Sequence, residues 1–331
     1  MDNQKGHIVI TGGAGYLGSA LAARLLRLGY RVTVLDNLLY GGESLMSFLP
    51  HPNFHFSRQD INDPLCLKNA LPTEWESPEA IFHLAGIVGF PACQAIGKQA
   101  AFYYNVDGTA NIIAQSKKAK IKKLVYASTY SVYGKQDNPT PQDESSNAQP
   151  ESLYAETKLA AEKHVRDTGG TVLRLASLFG LSPRTRFDLI VNQFVLDAFV
   201  KRELLIYQRG YTRSYIHVQD VLDGLILVLE TPNLEGELFN LGSASGNYTK
   251  DQVVEMVIKR LPDTLIEYKD LTFGGDRRDI SVSFEKIQKR LGFSAKIPVD
   301  EGIKELVYAL RWGLIREPNH IRYRNSQFMI S

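Results

Sequence analysis

Cysteine is scarce: Cys66 and Cys93 are the only two in 331 residues. Two thiols cannot build a disulfide framework, so a reduced, cytoplasmic protein is the expectation. No charge of one sign dominates. Lys and Arg total 38 against 36 Asp and Glu, a formal net charge of +2, so nothing points to a nucleic-acid or membrane surface. No apolar run is long enough to cross a bilayer. The first strand-like run starts within a few residues of Met1, so no signal peptide is expected. His, Cys, Asp and Glu are nowhere spaced as metal ligands. There is no internal repeat and no low-complexity tract. What remains is ordinary for a globular protein, 44% hydrophobic and 22% charged. The length allows a large core, as one big domain or two smaller ones.

The most informative stretch is Ile8 to Gly18, IVITGGAGYLG. A short apolar run is followed by Gly12, Gly13, Gly15 and Gly18, then by an Ala- and Leu-rich segment from Ser19 to Leu28. That reads as strand, tight turn, helix. Unpaired N–H groups and the positive end of the helix dipole meet at the turn, and glycines let a pyrophosphate approach the backbone. The spacing is G-x-x-G-x-x-G, and the strand–turn–helix context gives it meaning. A second apolar run, Val32 to Leu35, closes on Asp36. A carboxylate there accepts from adenosine ribose hydroxyls and repels a 2′-phosphate, which predicts NAD and not NADP.

Strand-like and helix-like segments go on alternating. Strands are expected at 54–56, 81–84, 123–127 and 172–175, and helices at 93–119 and 153–168. Repeated βα units imply a Rossmann-type doubly wound parallel sheet with ligands at the carboxyl ends of its strands. Beyond about Leu181 the pattern loosens into a smaller, mixed α/β substrate-binding region. The expected division is 1–180 for the NAD-binding part and 181–331 for the rest, interleaved without a clean linker. Helices are expected at 189–201, from Asp220, at 249–260 with Thr249 as N-cap, near 284–291 and at 299–312.

Tyr154 and Lys158 are spaced Y-x-x-x-K at a predicted helix start, so both side chains lie on one face. An ammonium near a phenol favours the phenolate and makes it a usable base near neutral pH. Thr129 closes the preceding strand, within reach of the same substrate oxygen.

With these pieces the chain resembles the extended short-chain dehydrogenase/reductase family, in its nucleotide-sugar epimerase and dehydratase branch. The matching stretches are ITGGAGYLG, VLDNL, Asp60-Ile61, HLAG, NVDGT, YASTYSVYG, YAETK, RSYIHVQDV, FNLGS and the GDRRD loop before KRLGF. The resemblance implies that Gly12, Gly15 and Gly18, with Tyr16 and Leu17, hold the pyrophosphate, and Asp36 and Asn37 the adenosine ribose. It implies that Asp60 and Ile61 flank the adenine, that Leu84, Ala85 and Gly86 line the cofactor channel, and that Asn105 joins the cofactor set. Tyr154 is then the acid/base, Lys158 its tuner and a ribose ligand, and Thr129 the family's Ser or Thr. Ser177, Asn192, Arg213, Arg277 and Arg278 fall to the substrate. Guanidinium suits a diphosphate there.

Departures narrow the chemistry. Family 4,6-dehydratases carry Asp-Glu after the Thr, and this chain has Tyr130-Ser131. Many relatives place an Asn where Ser177 stands. Cys93 is expected to be a buried structural thiol, and His83 and His217 buried and hydrogen-bonded. The basic loop Arg184–Arg186 is either a solvated face or a contact for substrate phosphate. The expected activity is an NAD-dependent nucleotide-sugar 4-epimerase working through a transient 4-keto sugar. The alternatives are a nucleotide-sugar oxidoreductase, a dehydratase or decarboxylase of the same family, or a catalytically inactive NAD sensor. The partner is a nucleotide-diphosphate sugar, without nucleic acid, membrane or metal. A homodimer is expected through the helices at 93–119 and 153–168, on Ile112, Ile113, Leu159 and Ala160.

Overall fold

A computed structural model describes residues 5–135, 140–269 and 279–325. The chain opens with β1 (His7–Thr11), α1 (Tyr16–Arg27), β2 (Arg31–Asp36), β3 (Phe54–Arg58), α2 (Cys66–Ala70) and β4 (Ala80–His83). It continues with α3 (Phe90–Ile96), α4 (Lys98–Phe102), α5 (Gly108–Lys118), β5 (Lys123–Thr129), α6 (Leu153–Asp167) and β6 (Thr171–Leu175). Then come β7 (Ser177–Phe179), α7 (Ile190–Lys201), β8 (Glu203–Tyr207), β9 (Thr212–His217) and α8 (Val218–Glu230). The last elements are β10 (Leu238–Leu241), β11 (Asn247–Thr249), α9 (Lys250–Arg260), β12 (Leu265–Lys269), α10 (Glu285–Leu291) and α11 (Val299–Arg311).

Seven strands form one sheet in the order β10-β6-β5-β4-β1-β2-β3. Every pairing in it is parallel, as a doubly wound sheet requires. The strand order reverses beside β1, between β2 and β4, and ligands bind at such a switch point. Register keeps the carboxyl ends level: Thr11 pairs with Leu35 on one side and His83 on the other, and Thr129 with Leu175. The turn after β1, Asp36, Leu84–Gly86 and Thr129 therefore open on one edge.

Period-two patterning covers both faces. Ile8, Ile10, Val32 and Val34 pack with Leu21 and Leu25 of α1 and Leu222 and Leu225 of α8. Val9, Leu35 and Ile81 point the other way, onto Cys66, Leu67 and Ile112. Each fully buried Leu or Ile stabilises the fold by about 1.5–3 kcal/mol relative to exposure. The later elements make a second core, in which α7, α9 and α11 pack on one another and on β8 and β9. A three-stranded sheet, β11-β9-β7, and a two-stranded one, β12-β8, complete this region. Thr249 caps α9 through a full capping box with Gln252.

The expected helix over 93–119 is not continuous. Gly97, at φ +82° and ψ 167°, separates α3 from α4, and Tyr103–Asp107 forms a π-helical turn before α5. Gly97 adopts a backbone conformation outside the helical region, so the amphipathic pattern runs through a chain that bends. No helix among the described residues is long and apolar enough to cross a membrane.

Candidate active site

A cavity of about 560 Å³ runs along the carboxyl edge of the sheet, from Asp36 past Tyr154 to Arg213 and Lys250. Its near end is the turn between β1 and α1. Gly12 has φ +72°, and a Cβ there would lie 2.7 Å from the Ala85 backbone. A Cβ on Gly18 would lie 2.3 Å from the Gly12 carbonyl oxygen. The turn is thus closed tightly on its own backbone. A Cβ on Gly15 would meet only that same oxygen, at 3.2 Å, and its other side is open. α1 starts at Gly15 without a side-chain cap, so its first N–H groups lack intrahelical partners. Gly15, Tyr16, Leu17 and Gly18 wall the cavity there.

Asp36 closes β2 and accepts the Ala14 N–H at 3.0 Å and the Leu38 N–H at 2.8 Å. Burial raises its pKa, and those two N–H groups oppose the rise. Each carboxylate oxygen keeps a lone pair for a further donor. Asn37 lies beside it on the wall and donates to Asp60 at 3.4 Å. Asp60 itself is off the wall. Its other oxygen accepts the Asn62 N–H at 2.9 Å, so it shapes the loop that presents Ile61. Leu84, Ala85 and Gly86 follow β4 along the wall. Asn105 is buried behind them. It accepts the Ile87 N–H at 2.7 Å and donates to the Ile87 carbonyl and to Thr157, both at 3.0 Å. It braces the loop rather than lining the cavity.

Midway, Tyr154 and Lys158 of α6 and Thr129 at the end of β5 share the wall. Ser152 caps the helix by accepting the Ala155 N–H at 3.2 Å, which fixes its first turn. Lys158 is buried, with its Nζ 4.2 Å from the centre of the Tyr126 ring. Burial pushes its pKa down to about 8, against the pull of the Glu162 carboxylate. Thr129 Oγ1 donates to Ser131 Oγ at 3.1 Å and accepts the Ser131 N–H. Behind this wall Glu162 takes a buried ion pair from Arg174 at 2.8 Å and a hydrogen bond from Ser128.

Neither buried histidine works on this wall. His83 is held between Thr11 at 2.7 Å and Thr109 at 2.9 Å, and burial drives its pKa down to about 3, so the ring is neutral. His217 accepts the Gln219 N–H at the start of α8 and meets Glu305 at 2.9 Å. Cys93 is fully buried, its thiol donating to the Ile87 carbonyl at 3.3 Å, and burial pushes its pKa up to about 11. That leaves essentially no thiolate near neutral pH.

At the far end Ser177 reaches the cavity and hydrogen-bonds the Tyr130 hydroxyl at 3.0 Å. Arg213 is buried and on the wall. Asn192 is fully buried off the wall. It accepts the Gly180 N–H at 3.0 Å and donates to the carbonyls of Gly180 and Arg186. Arg277 and Arg278 lie outside the described residues. Sequence reasoning missed Tyr40, Asp188, Lys250 and Asn325 as wall residues, and left Arg184 and Arg186 undecided. Both arginines are buried. Arg186 is gripped by both oxygens of Asp188, at 2.9 and 3.1 Å. Among the described residues no cluster of His, Cys, Asp and Glu could hold a metal ion.

A doubly wound sheet whose first βα turn opens on a long cavity defines a dinucleotide-binding α/β protein. More narrowly, the chain belongs to the NAD-dependent epimerase/dehydratase family, whose model matches residues 8–242. It is similar to UDP-glucuronic acid decarboxylase 3 of Arabidopsis thaliana, 31% identical over 310 residues, which cover 89% of this chain and 86% of that one. It is also similar to the UDP-glucuronate 4-epimerase of Thermodesulfobacterium geofontis, 28% identical over 321 residues, with 91% and 95% covered. Among solved structures it matches UDP-glucose 4-epimerase of Thermotoga maritima with UDP-glucose, at a TM-score of 0.81 and 27% identity, with 93% of this chain and 99% of that one covered. The dTDP-glucose 4,6-dehydratase of Bacillus anthracis, in complex with NAD, also gives a TM-score of 0.81, at 25% identity, with 95% and 98% covered. The protein is thus an enzyme of an NAD-dependent family. Its own residues fit that cofactor: an open Gly15 face, uncapped N–H groups at α1 and a ribose-level carboxylate at Asp36.

Proposed function

We propose that this chain is a nucleotide-sugar 4-epimerase that keeps NAD bound. The observation that carries the reading is that Thr129, Tyr154 and Lys158 share one cavity with the glycine turn and Asp36, and that among the described residues no unengaged acid stands near them on its wall. The acids on that wall are Asp36 at the adenosine end, Asp188 locked to Arg186, and Asp197 paired with Lys201. Tyr130 and Ser131, where 4,6-dehydratases carry Asp-Glu, are buried and hydrogen-bonded to Ser177 and Thr129. Expulsion of a C6 hydroxyl needs a general acid at that place, and the described wall offers none.

Bound NAD supplies a reversible acceptor for the hydrogen at the sugar C4. Tyr154 takes the proton of the C4 hydroxyl and later returns it. Lys158, whose pKa of about 8 keeps it mostly protonated at neutral pH, holds a cation beside the phenolate. Thr129 orients the C4 oxygen without carrying the proton. Between the two half-reactions the 4-keto sugar turns over within the cavity. Arg213 and Ser177 hold the nucleotide sugar there, with Arg277 and Arg278 as further candidates. UDP sugars come first, because three of the four relatives named above carry a UDP sugar in their names, against one with dTDP-glucose. Residues 1–180 would carry the cofactor and residues 181–331 the substrate.

A decarboxylase is the second reading, favoured by the decarboxylases among the 30% identical relatives. Incubation with UDP-glucose, UDP-glucuronate and their C4 epimers, read by mass and NMR, decides. Unchanged mass with inverted C4 supports the proposal. A loss of 44 means decarboxylation, a loss of 18 dehydration, and accumulating NADH a net dehydrogenase.

We further propose a homodimer through the face of α6 and the π-helical turn that precedes α5. Ile112 and Ile113 do not contribute, since both are buried in this chain's own core. Half-buried Leu159 and Ala160 and the exposed Tyr103 carry the reading instead. The two free, buried thiols suit the cytoplasm.

A further inference from the structure

Arg184 is a buried cation on the cavity wall. It is 8% exposed, with its guanidinium over the Tyr40 ring at 4.7 Å. Nη1 donates to the Asn325 side-chain oxygen at 2.6 Å. Nε and Nη2 are fully buried and have no hydrogen-bond partner among the described residues. Burial without hydrogen bonds is costly for a charged fork, so such a group points to an anionic partner. Its neighbour Arg186 already has one, in Asp188.

The loop that carries Arg184 is tied to the first turn of α1. The Tyr16 hydroxyl donates to the Gly180 carbonyl at 2.9 Å, and Ser182 Oγ donates to the Tyr16 carbonyl. Tyr40, under the guanidinium, belongs to the loop that follows Asp36. Arg184 thus shares the wall with the glycine turn and lies within electrostatic reach of the ribose-level carboxylate. Asn325 holds it there. Its N–H donates to Asp188 at 2.8 Å and its carbonyl accepts the Tyr40 hydroxyl at 3.1 Å. The Tyr323 carbonyl accepts the Phe187 N–H at 2.8 Å, so the 321–325 segment is strapped across the loop.

We propose that Arg184 is a second pyrophosphate ligand of the dinucleotide, facing the N-terminus of α1, and that Asn325 positions it. A bidentate guanidinium suits two phosphate oxygens, and the helix N-terminus supplies the other side of the clamp. The strap then slows cofactor release, as an enzyme that reuses one NAD requires. This rests on the reading that NAD occupies the cavity.

The test uses apo protein and three probes, ADP-ribose, adenosine and UDP, with dissociation constants from calorimetry for wild type, Arg184→Gln and Arg184→Lys. Arg184→Gln should weaken ADP-ribose by about 10- to 100-fold and leave adenosine within about twofold. Arg184→Lys should fall between, because an ammonium keeps the charge and loses the fork. Asn325→Ala should weaken ADP-ribose less than Arg184→Gln and speed the loss of bound NAD on gel filtration. Equal ADP-ribose affinity in wild type and Arg184→Gln overturns the proposal. So does equal loss of adenosine, which marks damage to the fold, or loss confined to UDP, which assigns Arg184 to the substrate. Wild type that binds no ADP-ribose at all overturns the cofactor reading itself.

Discussion

Replacing Lys158 by Met should stabilise the NAD-free protein while disabling it. Burial lowers the Lys158 pKa from 10.5 to about 8. At 1.36 kcal/mol per unit, keeping that ammonium buried costs about 3 kcal/mol at pH 7. The Tyr126 ring returns part of this, about 2 kcal/mol for a desolvated cation–π contact. Met gives up that contact but regains about 1 kcal/mol from sulfur against the same ring. Desolvation wins narrowly, and the variant should gain about 1–2 kcal/mol at pH 7. The sign with pH follows from proton binding. Below pH 8 the lysine is protonated in both folded and unfolded chains, and the cost is fully present. Between pH 8 and 10.5 the unfolded chain binds a proton that the folded one does not, so wild-type stability rises relative to the variant. Across that window wild type recovers about 3 kcal/mol, more than the gain, so Met should stabilise the protein at pH 7 and destabilise it by about 1 kcal/mol at pH 10. Urea midpoints of both proteins, stripped of NAD and measured at pH 7 and pH 10, test this, since bound cofactor would add its own stabilisation. A variant less stable than wild type at pH 7, or a gain that does not change with pH, refutes the reasoning.

Tyr154→Phe should keep the fold and bound NAD yet lower turnover by about 10²–10⁴-fold, as loss of general acid–base catalysis does; kcat and the NAD content of purified protein check both halves. Asp36→Ala should erase a preference for NAD over NADP, because one change removes both the ribose acceptor and the charge facing a 2′-phosphate; dissociation constants for the two dinucleotides decide, and a wild type that favours NADP contradicts the assignment. Light scattering at micromolar concentration should return twice the chain mass, and a monomer mass would remove the dimer.

Local signals made the cofactor half of the molecule readable. The glycine turn, Asp36 and the Y-x-x-x-K pair each lie within one βα step, where hydrophobic period and turn chemistry act over a few residues. The 90–118 region was harder, because one glycine at 97 and a π-helical turn interrupt a pattern that still looks helical. Three-residue strands such as β7 and β11 leave almost no periodicity to see. Ile112 and Ile113 looked available for a partner because sequence does not reveal that both sheet-facing sides of α5 are used. Arg184 was visible as a basic residue in a loop, but the bond that gives it a role joins it to Asn325, 141 positions away. No pattern of residue types marks such a contact; only the folded chain brings the pair together.

The 4-epimerase reading itself is tested most directly by a nucleotide sugar carrying deuterium at C4. If Tyr154 moves only the hydroxyl proton and the C4 hydrogen returns to the same sugar, the epimerised product keeps the deuterium at C4, at unchanged mass and without added cofactor. Deuterium lost to water, a product lighter by 18 or 44, or NADH accumulating one-for-one with product would contradict it.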